Sequence, residues 1–227
     1  MSGDNHILGV IAPKGRGKTY DVSREIASRN RVAIFDLTCE PQYAILADEI
    51  VIGDLPGFAR ALKDSTLARI VYRPIEYNPE TMECDEFNWF CKLSFLHGQL
   101  TVIVEEAHLF CSAHRIPPDL MLVARLGRHR ELSIIYITQS FAAISRALTD
   151  NTNTFWFYAN FSPRELEAIG VRCGEDVSQA VQQLTPLDIP HKIAGDRVRW
   201  EDSGEWIIER GLKTVEPTKN GERENAR

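Results

Sequence analysis

ILGVIAPKGRGKT, residues 7–19, decides how the rest of the chain is read. An apolar run over 7–12 feeds a short loop with two glycines, and Lys18-Thr19 opens a helix-like stretch over 18–29. Gly15 and Gly17 let the backbone curl so that its N–H groups converge, and the helix N-terminus adds favourable partial charge for an anion. Lys18 is placed to reach the β- and γ-phosphates of a nucleoside triphosphate, and the Thr19 hydroxyl to reach Mg²⁺. The pattern is GxxxxGK(S/T) with Ala12 at the first glycine position, where alanine costs little if φ is negative. Pro13, Lys14, Gly15, Arg16, Gly17, Lys18, Thr19 and Tyr20 are therefore the expected nucleotide contacts. This loop predicts nucleotide binding and leaves the reaction open.

Outward from it, apolar runs alternate with helix-like segments. The runs are at 31–37, 49–53, 69–73, 100–105, 132–138 and 154–160, rich in Val, Ile, Tyr and Phe and several of them continuous, as in strands buried on both faces of a parallel sheet. Helices are expected at 56–64, 83–96, 118–130 and 163–170, the last with a start at Ser162-Pro163 and Glu165 three residues beyond the serine. Such alternation predicts a three-layer α/β domain with a mostly parallel central sheet. After residue 171 the pattern changes to a polar helix near 175–184 and a hairpin of 198–200 with 205–209 around Asp202-Ser203-Gly204. The expected organisation is one domain over 1–212, with a core of about 6–170 and an appendage at 171–212, then a mobile charged tail at 213–227.

The composition fits one sizeable core: 227 residues, 44% hydrophobic and 26% charged. No apolar run approaches the roughly 20 residues of a membrane span, and MSGDNH at the start has no signal-peptide pattern. The net charge of −6 excludes a strongly basic nucleic-acid coat, while a local basic stripe remains compatible with it. Five scattered cysteines without a CxxC read as reduced thiols. His108, Cys111 and His114 offer three donors on one segment, but Pro117 and Pro118 follow and no fourth ligand is evident, so a helix-to-loop passage is the better reading.

TVIVEEAH, residues 101–108, is an apolar strand ending in two carboxylates. Glu105 is expected near Mg²⁺, directly or through water, and Glu106 toward the γ-phosphate, where it can polarise the attacking water. Positions 18 and 105 lie 87 apart and hold three strand-like runs between them. That is too much chain for an acidic strand directly following the loop's helix, and it fits a RecA/ASCE-like arrangement with an extra strand between the two motif strands. LGRHRELSIIYITQ, residues 126–139, ends a strand at Gln139, which can hydrogen-bond phosphate or water. Arg125, Arg128 and Arg130 precede it; arginine's planar fork suits a phosphate of a neighbouring subunit's nucleotide or of a DNA backbone.

GRGKT (15–19), IVEEAH (103–108) and the run from Gly127-Arg128 to Gln139 together resemble the HerA/FtsK superfamily of P-loop ATPases, through Walker A and Walker B motifs. The chain looks most like the genome-packaging ATPases of tailless, internal-membrane DNA phages of the tectivirus type. The resemblance implies ATP and Mg²⁺ as cofactors, a homo-oligomeric ring, usually hexameric, and double-stranded DNA as the translocated partner. It also implies a capsid vertex or membrane-embedded packaging proteins as the dock, the host cytoplasm during assembly and later the virion as locations. By position it makes Glu106 the base, Glu105 the metal's support, Gln139 the γ-phosphate sensor and Arg128 a trans-acting arginine, with Arg73 a weaker second phosphate contact. Glu105 stands where the superfamily more often has Asp. A plasmid or cellular DNA pump, a phage assembly or secretion ATPase, and a non-translocating nucleotide-dependent vertex component are the alternatives.

Overall fold

A computed structural model describes residues 6–78, 80–81, 84–184 and 196–209 of the chain. Nine strands form one sheet in the order β3-β4-β2-β5-β6-β1-β7-β8-β9. They are β1 (Ile7–Ile11), β2 (Val32–Phe35), β3 (Glu49–Ile52), β4 (Arg69–Arg73), β5 (Leu100–Val104), β6 (Leu132–Thr138), β7 (Thr154–Tyr158), β8 (Arg197–Glu201) and β9 (Trp206–Glu209). β1 to β7 are mutually parallel, and only β7–β8 and β8–β9 pair antiparallel.

The continuous apolar runs are explained by two cores. Successive side chains of a strand point to opposite faces. On β6, Leu132, Ile134 and Tyr136 enter one core while Ile135 and Ile137 enter the other; on β5, Val102 and Val104 oppose Ile103 in the same way. The first core is closed by α4 (Asp85–His97), α5 (Pro118–Leu126), α7 (Pro163–Cys173) and α8 (Glu175–Gln182), with α3 (Leu55–Lys63) beside α4. The second is closed by Val22 and Ile26 of α1 (Lys18–Ser28) and Tyr43 of α2 (Pro41–Leu46). The three expected layers are present. Phe90, fully buried, lies 5.2 Å from the Phe35 ring and 5.0 Å from that of Phe58; its truncation to alanine would cost about 3–5 kcal/mol.

The expected extra strand lies between the two motif strands in the sheet. The strands between the two motifs in sequence, β2, β3 and β4, lie beyond β5, and it is β6 that separates β1 from β5. The chain ends of β1, β5 and β6 therefore sit side by side, with Gln139 in the middle. The segment expected as a helix over 118–130 is helical only to Leu126; Gly127–Arg130 tightens into a 3-10 turn that swings the chain into β6. Glycine's backbone freedom weakens a helix at that point. Two short helices, α2 and α6 (Arg146–Thr149), had no counterpart in the sequence reading.

The hairpin forms around the expected turn, with Gly204 at φ 88°. Its β8 is bolted to α1: Arg197 pairs with Asp21 at 3.0 Å and Glu209 at 2.6 Å while covering the Trp156 ring at 3.6 Å. The charged tail at 213–227 lies outside the described residues. No helix among the described residues is long and apolar enough to cross a membrane.

Candidate nucleotide-binding site

Ligands of open parallel α/β sheets bind beyond the carboxyl ends of the strands, where strand order reverses. Here that place is the end of β1, and a cleft of about 510 Å³ opens there. Lys14 to Tyr20 line it from the loop and α1, Glu105 and Glu106 from the end of β5, and Gln139 from the end of β6. Pro13 is the one expected loop contact that does not line it.

Gly15 (φ 79°) and Gly17 (φ 84°) both adopt the left-handed conformation that side chains resist. Nothing lies within 4 Å of where a Cβ on Gly15 would stand, so glycine is required there by backbone angle and not by crowding. Ala12 is fully buried and donates its N–H to the Thr138 carbonyl at 3.1 Å, so the first glycine position extends the pairing of β1 with β6 by one residue before the loop turns away. Lys18 is 7% exposed. Its Nζ donates to the Ala12 carbonyl at 3.3 Å and lies 4.0 Å from Glu106 Oε1.

The two adjacent acids occupy different environments. Glu105 is 2% exposed and accepts a hydrogen bond from the Tyr43 hydroxyl at 2.8 Å. Burial pushes its carboxyl up to about 7, helped by the Glu106 charge and opposed by Tyr43 and Lys18. Glu106 turns out of the strand at φ 48°, so its side chain leaves the direction taken by Glu105. Its Oε1 accepts from Gln139 Nε2 at 2.6 Å. Its Oε2 is buried without a hydrogen bond, 3.4 Å from His108 Nδ1. Burial lowers the His108 pKa and so favours the neutral ring. Lys18, Glu106 and Gln139, separated by up to 121 positions in sequence, thus form one connected polar cluster.

The donor set suits a hard divalent cation. Thr19 and Glu105 both line the cleft, and their hydroxyl and carboxylate offer oxygen, the ligand type that would hold Mg²⁺.

The arginines part company. Arg128 is exposed in the turn before β6, and its Nε donates to His129 Nε2 at 3.4 Å. Arg130 is spent on the end of α4, donating to the carbonyls of Phe95 (3.2 Å) and Leu96. Arg125 is exposed near the end of α5. Arg73 is committed to the fully buried Asp36 at 3.0 Å and does not line the cleft, which removes it as a phosphate contact.

Sequence reasoning missed the far wall, made by Thr38, Glu40 and Gln42. Asp36 shapes that wall by accepting the Glu40 N–H at 3.0 Å, and Arg73 Nη2 donates to the Glu40 carbonyl at 3.3 Å. The signal that could have found it is Pro41, a proline at the first position of a helix. Tyr43 carried no signal, because only folding brings it to Glu105.

No family model matches the chain, and no curated protein does. Solved structures do. The genome packaging NTPase B204 from Sulfolobus turreted icosahedral virus 2, in complex with ATP-gammaS, aligns with a TM-score of 0.74 at 17% identity, covering 94% of this chain and 100% of that one. The DNA-packaging ATPase B204 from Sulfolobus Turreted Icosahedral Virus aligns with a TM-score of 0.73 at 16% identity, over 94% of this chain and 100% of that one. VirB4 of Thermoanaerobacter pseudethanolicus follows with a TM-score of 0.59 at 11% identity, over 93% and 90%. At such identities the likeness is one of fold, and the fold is the three-layer one in which a glycine loop holds a nucleotide.

Proposed function

We propose that this chain, whose fold is that of the HerA/FtsK-type P-loop ATPases, is an ATP-driven motor that moves double-stranded DNA into a viral capsid. The observation that carries the hydrolytic part is the Lys18–Glu106–Gln139 cluster, bonded within one cleft at the end of β1. A pure nucleotide switch needs no activating carboxylate, and Glu106 in the cleft beside Lys18 and Gln139 supports the hydrolytic reading. Packaging as the purpose rests on the likeness to the B204 enzymes, which match along their whole length.

In this reading the loop N–H groups and Lys18 hold the triphosphate. Thr19 and Glu105 would hold Mg²⁺, which when bound would draw charge from the phosphate oxygens. Glu106 takes the proton of the attacking water as its oxygen bonds to the γ-phosphorus and the bond to the β-phosphate oxygen breaks. Gln139, already hydrogen-bonded to Glu106, orients that water or senses the γ-phosphate. Arg128 cannot serve its own chain's site, since it precedes the opposite end of β6; it acts on a neighbour's nucleotide in a ring, which makes each site a product of two subunits. The acidic chain does not coat DNA, so contacts come from a few basic residues lining that ring.

The test is ATP turnover by the purified full chain with and without linear double-stranded DNA. Mg²⁺-dependent turnover that rises with DNA is expected. Absence of turnover would remove the enzyme reading, and turnover indifferent to DNA would remove the motor reading while leaving the ATPase.

A further inference from the structure

Ser162 and Glu165 have the spacing of a capping box, in which the glutamate returns to the backbone N–H of the capping residue. Only half of the box forms. The Glu165 N–H donates to Ser162 Oγ at 3.4 Å, but the Glu165 carboxylate crosses to another element. It accepts from the Ser140 hydroxyl at 2.5 Å, the Phe141 N–H at 2.7 Å and the Ala142 N–H at 3.0 Å. Those three residues directly follow Gln139. One side chain of α7 therefore holds the loop that carries the residue bonded to Glu106.

Resting on the reading of Gln139 given above, we propose that Glu165 is a positioning residue that clamps the Gln139 loop to α7 and thereby passes the nucleotide state of the cleft to α7 and α8. Upstream, Thr138 is fixed by the sheet and accepts the Ser140 N–H at its hydroxyl at 3.2 Å, so residues 139 and 140 are the short link between β6 and the next packed group. Phe141 is that group, edge-on to the rings of Phe155 (5.2 Å) and Phe157 (5.4 Å). Any displacement of the Gln139 backbone toward a phosphate moves this link, and the three hydrogen bonds to Glu165 carry the movement to α7. From α7 the contact chain continues. Ser178 Oγ of α8 donates to the Leu166 carbonyl at 2.8 Å, and Trp206 Nε1 of β9 donates to Asp176 Oδ2 at 2.7 Å. Chains of packed and hydrogen-bonded groups of this kind are what carries coupling between distant places. α7 and the 141–149 segment are also the two walls of a surface groove of about 460 Å³, which includes Arg146, Arg164 and Val171, so the clamp also holds that groove's two walls together.

The experiment is backbone amide hydrogen exchange of the full chain with and without ATPγS, paired with steady-state ATP kinetics. In the natural protein ATPγS should slow exchange in residues 14–20 and also in 140–145 and 163–173. In Glu165→Ala the slowing should persist at 14–20 and vanish at 163–173. kcat should fall roughly 10- to 100-fold, the cost of a catalytic group displaced by about an ångström, with KM for ATP unchanged. Glu165→Gln should recover most of both readouts, because its amide oxygen can accept the two backbone N–H groups while its NH₂ donates to Ser140. Should Glu165→Ala fail to fold, Ser140→Ala removes one of the three bonds and should give the same pattern at smaller amplitude. Equal protection of 163–173 in natural and variant proteins, or none there in the natural protein while 14–20 is protected, overturns the clamp. Absence of protection at 14–20 in the natural protein overturns instead the nucleotide reading on which the clamp rests.

Discussion

The two ends of β6 differ in a way that separates what a single chain completes from what it leaves to a partner. At the Gln139 end the polar groups are spent on one another: Gln139 on Glu106, Glu106 beside Lys18, Lys18 on the Ala12 carbonyl, Glu105 on Tyr43. At the other end, a strand of seven residues and roughly 20 Å away, Arg128 stands exposed, its Nε donating to His129. Its neighbour Arg130 is not comparable, since its guanidinium stitches the turn to the end of α4. One end is a prepared binding site. The other presents a cation that no described group of its own chain neutralises by a salt bridge.

The largest effect expected anywhere in the chain is that of Lys18→Ala, which removes the cation paired with the β- and γ-phosphates. ATP binding should be abolished, as read by fluorescent-nucleotide titration; retained binding would mean the cleft is not the triphosphate site. At the other end, Arg128→Ala should leave ATP binding intact and lower turnover by about 10³–10⁵-fold, the usual worth of an arginine finger. Mixing the Arg128→Ala and Lys18→Ala proteins, each inactive alone, should restore partial activity, because some interfaces then join an intact loop to an intact arginine. Natural-protein activity should likewise depend on protein concentration. A mixture that exchanges subunits and stays inactive would assign Arg128 to DNA or to structure, and Arg125 would become the candidate.

The same contrast explains what was legible in the sequence. Glycine loop, strand-end acids and strand-end glutamine were readable because each is local: its chemistry depends on a strand ending next to it, and apolar runs announce strands. The parallel sheet, the two helical layers and the hairpin followed from the same runs. The supports of the cleft were not legible, since Tyr43 meets Glu105 across 62 positions and Asp36 meets Arg73 across 37, and of the far wall only Pro41 gave a local sign. Helices of four and six residues left no periodicity to detect. The fate of Arg130 was equally hidden, because an arginine before a strand looks alike whether it caps a helix or faces solvent. Glu165 shows the converse: its motif was read, but its partner lay on another element.

Glu106→Gln sharpens the comparison from inside the cleft. The amide keeps the side chain's size and can still accept from Gln139, so ATP should bind as in the natural protein, while the loss of a proton acceptor should lower turnover by roughly 10²–10⁴-fold. Single-turnover hydrolysis checks it. If ATP affinity fell as far as in Lys18→Ala, Glu106 would be organising the loop and not acting on water.

The smallest expected effect concerns the cost of preparing the cleft. Glu105 carries a carboxyl raised from 4.5 to about 7, chiefly by burial. A group whose pKa is higher in the folded than in the unfolded chain binds more protons when folded, so its contribution to stability is complete below pH 4.5 and is lost as pH rises through 7. The loss is about 3 kcal/mol, because each tenfold gain in proton affinity on folding is worth about 1.36 kcal/mol. Glu105→Gln removes the titrating group and keeps an oxygen for the Tyr43 hydroxyl. Without nucleotide or Mg²⁺, the variant should match the natural protein in urea denaturation at about pH 4 and exceed it at pH 8, by up to that amount. Comparing the two proteins cancels the opposing contribution of His108, whose lowered pKa acts the other way in both. Among the described residues the exposed end of β6 holds no buried acid to produce such a slope, and Arg128→Ala should leave the difference between pH 4 and pH 8 unchanged. Equal responses of Glu105→Gln and the natural protein would show that the carboxylate is not held against its preference, and that the cleft is prepared by its hydrogen bonds alone.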